Sequence, residues 1–474
     1  MKKGIFSGIS GSFIVFGWLM YIMLSPSEFV ILSTNDMHAS LDNAARLAEA
    51  VEKCRDTVFT VVVDAGDRWT GNAYVDLAED RLPIIRVMNA IGYDAATLGN
   101  HEFDTGTKTL ATAISHAKFP VLCANLKEGE GLVDKISPKT RITTPSGICI
   151  DFVGVVTSFA NGHPDGNEAS FVGMTFENAL DAAEREGKSS KGDFKVLLSH
   201  MGHDRDFELA ERYDGYDLIV SGHTHQFIDT LINRTVIGQT GRKMKMVGAT
   251  RVKMRGKRVV SVEYENIPLA TYEEDDDMEE LIAEIESNPA LKVVAGSLAN
   301  DATHFGLCNL QSEIIRQGTS ADIGIYHRGG VRTLEGLPKG EVTVKNLFDN
   351  EPFFSQVHTI EMTAAELRQL IITKYNDMTN MKESHRIDLM ATTPYKIIVD
   401  KSNTAIDVVF PKLKEGVRYK VAFADYIARN YKDFVGKNEV RTPLLVYDLD
   451  VAFFAKNSPV KANNKLLQSI VVKE

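Results

Sequence analysis

Phe29-Val30-Ile31-Leu32-Ser33-Thr34-Asn35-Asp36-Met37-His38 opens the informative part of the chain. Four apolar residues lead, through two hydroxyls, into a carboxamide, a carboxylate and an imidazole. The pattern then recurs. Phe59-Thr60-Val61-Val62-Val63 runs into Asp64-Ala65-Gly66-Asp67, and 93–98 runs into Gly99-Asn100-His101-Glu102-Phe103-Asp104. Phe194-Lys195-Val196-Leu197-Leu198 precedes Ser199-His200-Met201-Gly202-His203, and 216–220 precedes Ser221-Gly222-His223-Thr224-His225. Short Val/Ile/Leu-rich runs that stop at Gly or Asn read as buried strands. Segments 44–54, 82–91 and 108–116 between them carry helical spacing. Alternating strands and helices predict an α/β sheet, in which ligands gather beyond the carboxyl ends of the strands.

The residue types at those ends are the ones that borderline and hard divalent cations accept. One His or Asp after a strand reads as a turn or cap residue. Five such clusters in register read as one convergent site, because polar pairs at buried strand ends need an electrostatic reason to be there. His203 either buttresses a ligand or lies on the surface, and Glu102 reads as structural.

At these motifs the chain resembles the calcineurin-like metallophosphoesterases, in particular their 5′-nucleotidase and 2′,3′-cyclic phosphodiesterase branch. The resemblance implies a four-layer αββα sandwich and a dinuclear metal centre. Asp36, His38 and His225 would hold one ion, Asn100, His200 and His223 the other, with Asp67 as the bridge. His101, backed by Asp104, resembles the family's catalytic dyad. Mixed nitrogen and oxygen ligation accepts two divalent ions of Mn, Zn, Fe, Co or Ni.

Composition narrows the class further. The chain has 474 residues, 44% hydrophobic and 25% charged, with a formal net charge of −11. That length predicts more than one domain, and the charge disfavours nucleic-acid polymers as partners. The basic stretch 251–258 reads as an exposed β-hairpin, and the acidic run 273–280 as a solvated connector entering a helix. Four dispersed cysteines exclude a dense disulfide framework. Lys2 and Lys3 precede an uncharged stretch over 4–27, which predicts export to the periplasm or cell surface. If it is not cleaved, the stretch is long enough to anchor the chain in a bilayer. The expected organisation is a signal peptide or anchor at 1–28, a catalytic domain at 29–270, a linker helix at 271–290 and a substrate domain at 291–474.

The second half resembles the family's substrate domain, an α/β unit. It carries Gly329-Gly330-Val331-Arg332, Pro352-Phe353, and a helix starting at Thr363 with a capping box to Glu366. The resemblance implies substrate contacts from Arg332 and a stacking ring at Phe434. Three departures stand out. His327-Arg328 replace an Asn-Gly, Ser355 stands where relatives place Asn, and Asn430-Tyr431-Lys432-Asp433 replace a Gly-rich turn before Phe434.

The leading reading is therefore a metal-dependent phosphoesterase acting on a small-molecule phosphate ester, a nucleoside 5′-monophosphate. A related hydrolase of a cyclic nucleotide, nucleotide sugar or sulfur ester is the alternative. A non-catalytic surface binding protein is the rival from another class.

Overall fold

The computed structural model describes residues 26–129, 131–158, 162–166, 168–378, 384–431, 434 and 439–473. Residues 1–25, most of the expected signal or anchor, lie outside them, as do Lys432 and Asp433. Among the described residues no helix is long and apolar enough to cross a membrane.

The described residues divide into two compact units, one formed by those of 26–70 and 75–287, the other by those of 71–74 and 288–473. The principal strands of the first unit are β1 (Pro26–Thr34), β2 (Phe59–Asp64), β3 (Ala95–Thr97), β4 (Val121–Leu122), β5 (Lys139–Thr143), β6 (Cys149–Val156), β7 (Phe194–His200), β8 (Leu218–Ser221), β9 (Phe227–Ile232), β10 (Thr235–Thr240), β11 (Met246–Arg255) and β12 (Arg258–Pro268). They form two six-stranded sheets, ordered β12-β11-β1-β2-β3-β4 and β9-β10-β8-β7-β6-β5. Strands β1 to β4 run parallel, as do β6, β7, β8 and β10. Helices α1 (Ala44–Arg55), α2 (Leu82–Ile91) and α3 (Gly106–His116) make the crossovers of the first sheet. Helices α4 (Ala179–Ser189) and α5 (His203–Arg212) serve the second.

Alternate side chains of a strand point to opposite faces, so each sheet presents one apolar face to the other. Phe29, Ile31, Val61 and Val63 of the first sheet meet Phe152, Phe194, Val196 and Leu198 of the second in one buried cluster. The rings of Phe29 and Phe194 meet edge to face at 5.5 Å. The opposite face of the second sheet, with Val153, Val155, Leu197 and Ile219, packs on Ala182, Ala183, Leu209 and Ala210 of the helices. These two clusters give three layers, and α1 packed on β2 supplies the fourth of the expected helix, sheet, sheet, helix order. Register aligns the functional ends: Thr34 pairs with Asp64, Val156 with His200, and Ser199 with Ser221.

The basic stretch is the β11–β12 hairpin, turning at Gly256, and all four cysteines are free. The helix read as a linker is α6 (Asp276–Ile285), capped by Asp275; it packs on α1 and α2 within the first unit and buries Met278 and Ile285.

The second unit is also α/β. A five-stranded sheet is ordered 389–391, 323–327, 418–424, 356–363, 440–445, and a three-stranded sheet is ordered 405–409, 395–399, 468–472. Helices α7 (His304–Gly318) and α8 (Ala364–Asn376) pack on them. The capping box is formed at α8: Glu366 N–H donates to Thr363 Oγ1 at 3.2 Å, and Thr363 N–H donates to Glu366 Oε2 at 2.7 Å.

The inter-sheet contact makes a prediction. Phe194→Ala should lower the stability of the first unit by about 3–5 kcal/mol in urea unfolding, because it removes a buried ring and leaves a cavity. A loss below about 1 kcal/mol would contradict the face-to-face packing.

Candidate metal centre

All seven expected ligands lie at or just beyond the carboxyl ends of parallel strands, and the fold brings them together. Asp36 and His38 follow β1, Asp67 follows β2, Asn100 follows β3, His200 ends β7, and His223 and His225 follow β8. Asp36, His38 and His225 bring ligand atoms within 4.8 Å of one another, and so do Asp67, His200 and His223. A third group, His38, Asp67 and His101, joins the two. Asn100 Oδ1 lies 3.1 Å from His223 Nδ1. Asp67 thus belongs to the second donor set and, through the third group, reaches His38 of the first.

The backbone shows what this convergence demands. Asp36, His38, Asp67, His223 and His225 all adopt positive φ, from 48° to 74°. Left-handed backbone at a non-Gly residue costs energy and persists only where its surroundings over-determine it. Here the surroundings are close. A Cβ on Gly99 would fall 2.2 Å from Asp67 Oδ1, so only glycine lets the two loops touch. The Asp36 N–H donates to the Gly66 carbonyl, and the His38 N–H to the Asp67 carbonyl, both at 2.9 Å.

Hydrogen bonds behind the rings aim the ligand atoms. His38 Nδ1 faces the Thr70 carbonyl at 3.0 Å, and His200 Nδ1 faces the Ala65 carbonyl at 2.7 Å. Both imidazoles therefore turn Nε2 inward, an arrangement common for metal-binding histidines. His38 Nε2 and His225 Nε2 stand 2.9 Å apart, with Asp36 Oδ1 at 3.2 Å from the latter. The buried Nε2 of His200 lies 3.1 Å from Asp67 Oδ2. Burial disfavours the His200 imidazolium, but the Asp67 carboxylate offsets this and raises its pKa to about 10. Burial likewise opposes ionisation of Asp67, yet His200, His101 and His38 hold its carboxyl well below the ordinary range. Inward-facing imidazole nitrogens, two of them opposed at 2.9 Å, and buried carboxylates fit divalent cations.

His101 sits beside this cluster. Its N–H donates to Asp67 Oδ1 at 2.9 Å, and its Nδ1 meets Asp104 Oδ2 at 2.7 Å. Thr70 Oγ1 donates to the same Asp104 oxygen at 2.7 Å. Burial works against the Asp104 carboxylate, but His101, Arg81 and Thr70 keep its pKa low. The orienting group of the dyad is therefore itself oriented. Glu102 is structural, as expected: its carboxylate accepts backbone N–H groups from Asp67, Arg68 and Gly99. His203 Nδ1 meets Thr224 Oγ1 at 2.9 Å, which ties it to the loop between His223 and His225.

The second unit gives a different picture. The Arg332 guanidinium lies 5.0 Å over the Phe353 ring, and the Arg332 N–H donates to the Asn350 carbonyl at 2.9 Å. Phe434 lines a cleft of about 740 Å³ with Asp377, Arg429, Asn430 and Tyr431. Arg332 is not among the described residues of that lining. The departures from the family pattern are used internally. The His327 ring stacks on Tyr426 at 4.0 Å, Arg328 lies over Phe305, and Ser355 is buried.

Comparison with known proteins agrees with the two-unit reading. Residues 29–227 match the calcineurin-like phosphoesterase family, and residues 284–436 match the 5′-nucleotidase C-terminal domain. The chain carries a calcineurin-like metallophosphoesterase domain followed by a 5′-nucleotidase C-terminal domain. It is 25% identical over 418 residues to the trifunctional nucleotide phosphoesterase YfkN of Bacillus subtilis, covering 74% of this chain and 28% of that protein. It is 30% identical over 242 residues to the 5′-nucleotidase of Bos taurus, covering 45% of this chain and 41% of that protein. The chain thus spans well under half the length of these relatives. In fold it is similar to a 5′-nucleotidase precursor from Thermus thermophilus, with a TM-score of 0.79 at 19% identity over 94% of this chain and 99% of that one. It is also similar to the sulfate thiohydrolase SoxB of the same organism, with a TM-score of 0.74 at 15% identity over 94% of this chain and 97% of that one.

One buttress was not expected from sequence. Fully buried Asp206, on α5, accepts hydrogen bonds from Ser199 Oγ at the end of β7 and Ser221 Oγ at the end of β8. It clamps the strands that present His200 and His223. Burial raises its pKa to about 7. A carboxyl whose folded pKa exceeds its unfolded value of 3.8 binds its proton more tightly in the folded state. Its destabilising effect should grow as pH rises from about 4 to about 7 and be complete above that. Asp206→Asn should therefore gain stability over the native protein across this window, read as melting temperature against pH. A parallel pH dependence of the two proteins would contradict the assignment.

Proposed function

We propose that the chain is a metal-dependent phosphoesterase, and that its substrate is a nucleoside 5′-monophosphate. The observation that carries the first claim is the joining of two N,O donor sets through Asp67, with the His101–Asp104 pair alongside. Asp36, His38 and His225 would hold one divalent ion, Asn100, His200 and His223 the other, and Asp67 both. Such a pair supplies charge neutralisation for a phosphoryl group and a water of lowered pKa.

The chain's own residues supply the rest. His101 presents one ring nitrogen to Asp104, which fixes the ring and stabilises its protonated form. The other nitrogen is then placed to donate a proton toward the leaving oxygen of the ester as charge develops there. Thr70 and Arg81 keep Asp104 ionised through that transfer. Arg332 is the expected contact to the substrate's anionic or polar part. Phe434, half-buried against the core at the edge of its cleft, is the expected ring for a base. Export is part of this reading and rests on the Lys2-Lys3-led apolar stretch.

The nucleotide assignment is supported by the relatives, named as nucleotide phosphoesterase and 5′-nucleotidase. A second reading keeps the metals and changes the ester to a 2′,3′-cyclic nucleotide, a nucleotide sugar or a sulfur ester. It is favoured by the altered positions His327 and Arg328, both engaged in ring contacts within the unit. A binding protein without turnover is disfavoured because the ligand set is complete.

The test is a hydrolysis screen of nucleotides, cyclic nucleotides, sugar phosphates and sulfur esters before and after chelation. Activity should vanish with the metal and return on Mn²⁺ addition. Asp67→Ala and His223→Ala should abolish turnover even with metal restored; native-like rates in either would refute the centre. His101→Ala should slow turnover by roughly 10²–10⁴ with metal content intact, as loss of a proton donor does. Arg332→Ala should harm nucleotide hydrolysis more than hydrolysis of a small aryl phosphate, and equal damage would remove it from the substrate side.

A further inference from the structure

Arg68 is a costly side chain to bury beside the ligand loops. It is fully buried, its Nη2 donates to the Thr97 carbonyl, and its Nε and Nη1 have no hydrogen-bond partner. Two buried carboxylates flank it. Asp64 Oδ1 lies 3.4 Å from Nη2, and Glu102 Oε1 lies 3.8 Å from Nε. A buried guanidinium with unsatisfied donors is unfavourable, and an apolar side chain of similar length would pack there at lower cost. Stability alone does not explain it.

Glu102 does. Its Oε2 accepts the N–H groups of Asp67, at 3.0 Å, and of Gly99, and its Oε1 accepts the Arg68 N–H at 2.8 Å. One side chain therefore fastens the loop that carries Asp67 to the loop that carries Asn100. Asp67 is held there at φ 58°. The task needs an acceptor on both oxygens, which only a carboxylate provides; a glutamine would turn an N–H donor against one of these N–H groups. Burying that carboxylate without a counter-charge is strongly unfavourable.

We propose that Arg68 and Glu102 act together as positioning residues for the bridging aspartate: Glu102 locks the Asp67 and Asn100 loops at the separation that lets one carboxylate serve both cation sites, and Arg68 supplies the counter-charge that lets Glu102 do so. The proposal rests on the metal-centre reading. It makes metal affinity, and not only stability, depend on two residues that offer no ligand atom.

The experiment compares native protein with Glu102→Gln, Arg68→Met, Arg68→Lys and the double variant Arg68→Met/Glu102→Gln. Mn²⁺ affinity is read by calorimetry, and the melting temperature of the metal-free protein is read alongside. Each single removal should leave an uncompensated buried group and lower the melting temperature. The double variant removes the Arg68 and Glu102 charges together, leaving only Asp64 without its guanidinium, and should recover part of it. Mn²⁺ affinity should nevertheless stay about 10–100-fold weaker in the double variant, the usual cost of losing a partner behind a metal ligand. Arg68→Lys, which keeps the charge, should recover part of the affinity lost in Arg68→Met. Affinity that returns with stability in the double variant would show a merely structural pair and overturn the proposal, as would unchanged affinity in the single variants. Native protein that takes up no Mn²⁺ would instead refute the metal centre itself.

Discussion

Asp67 is the residue on which the rest of the first unit turns. A carboxylate wedged against three imidazoles, in left-handed backbone, is not a low-energy local choice. It is held by tertiary contacts from several directions: Glu102 on its N–H, the His101 N–H on its Oδ1, His200 beside its Oδ2, and Gly99 against its side chain. The parallel strands bring the loops to one end of the sheets, and the glycines let the loops touch. The electrostatics of that crowding are resolved by positive charge, whether protons on imidazole or cations between the donors.

The pattern along the chain disclosed much of this because it is carried by local signals. Buried parallel strands read as short apolar runs, and their ends are marked by Gly, Asn and Asp. The helix expected over 82–91 is Leu82–Ile91, where an amphipathic stripe is flanked by Pro83 near its start and Gly92 at its end. The capping box at Thr363 needs only residues three apart. The convergence of the expected ligands was legible for the same reason: imidazole and carboxylate immediately after an apolar run are chemically out of place unless something uses them.

What sequence hid is the layer behind the ligands. Arg68 follows an aspartate in a polar turn, where no local signal marks it as buried; only closure of the β2 and β3 loops over it makes it so. Asp206 lies in His203-Asp204-Arg205-Asp206, a run that looks like a solvated helix face. A finer signal was present, since 206, 209 and 210 share one stripe of α5 and Leu209 and Ala210 are apolar. The carboxylate on that stripe is the exception that the serines at the strand ends explain. In the second unit, Arg332 and Phe434 were grouped by family resemblance, yet Arg332 stacks on Phe353 while Phe434 faces a cleft of its own. Motif order does not encode which ring a long guanidinium side chain will cover.

The most direct test of the account is anomalous diffraction from Mn²⁺-loaded crystals of the protein. The account predicts two peaks about 3.5–4 Å apart, the spacing of two-metal phosphoesterase sites. One should be ligated by Asp36, His38 and His225, the other by Asn100, His200 and His223, with Asp67 touching both. A single peak, or peaks that leave Asp67 on one side only, would contradict it.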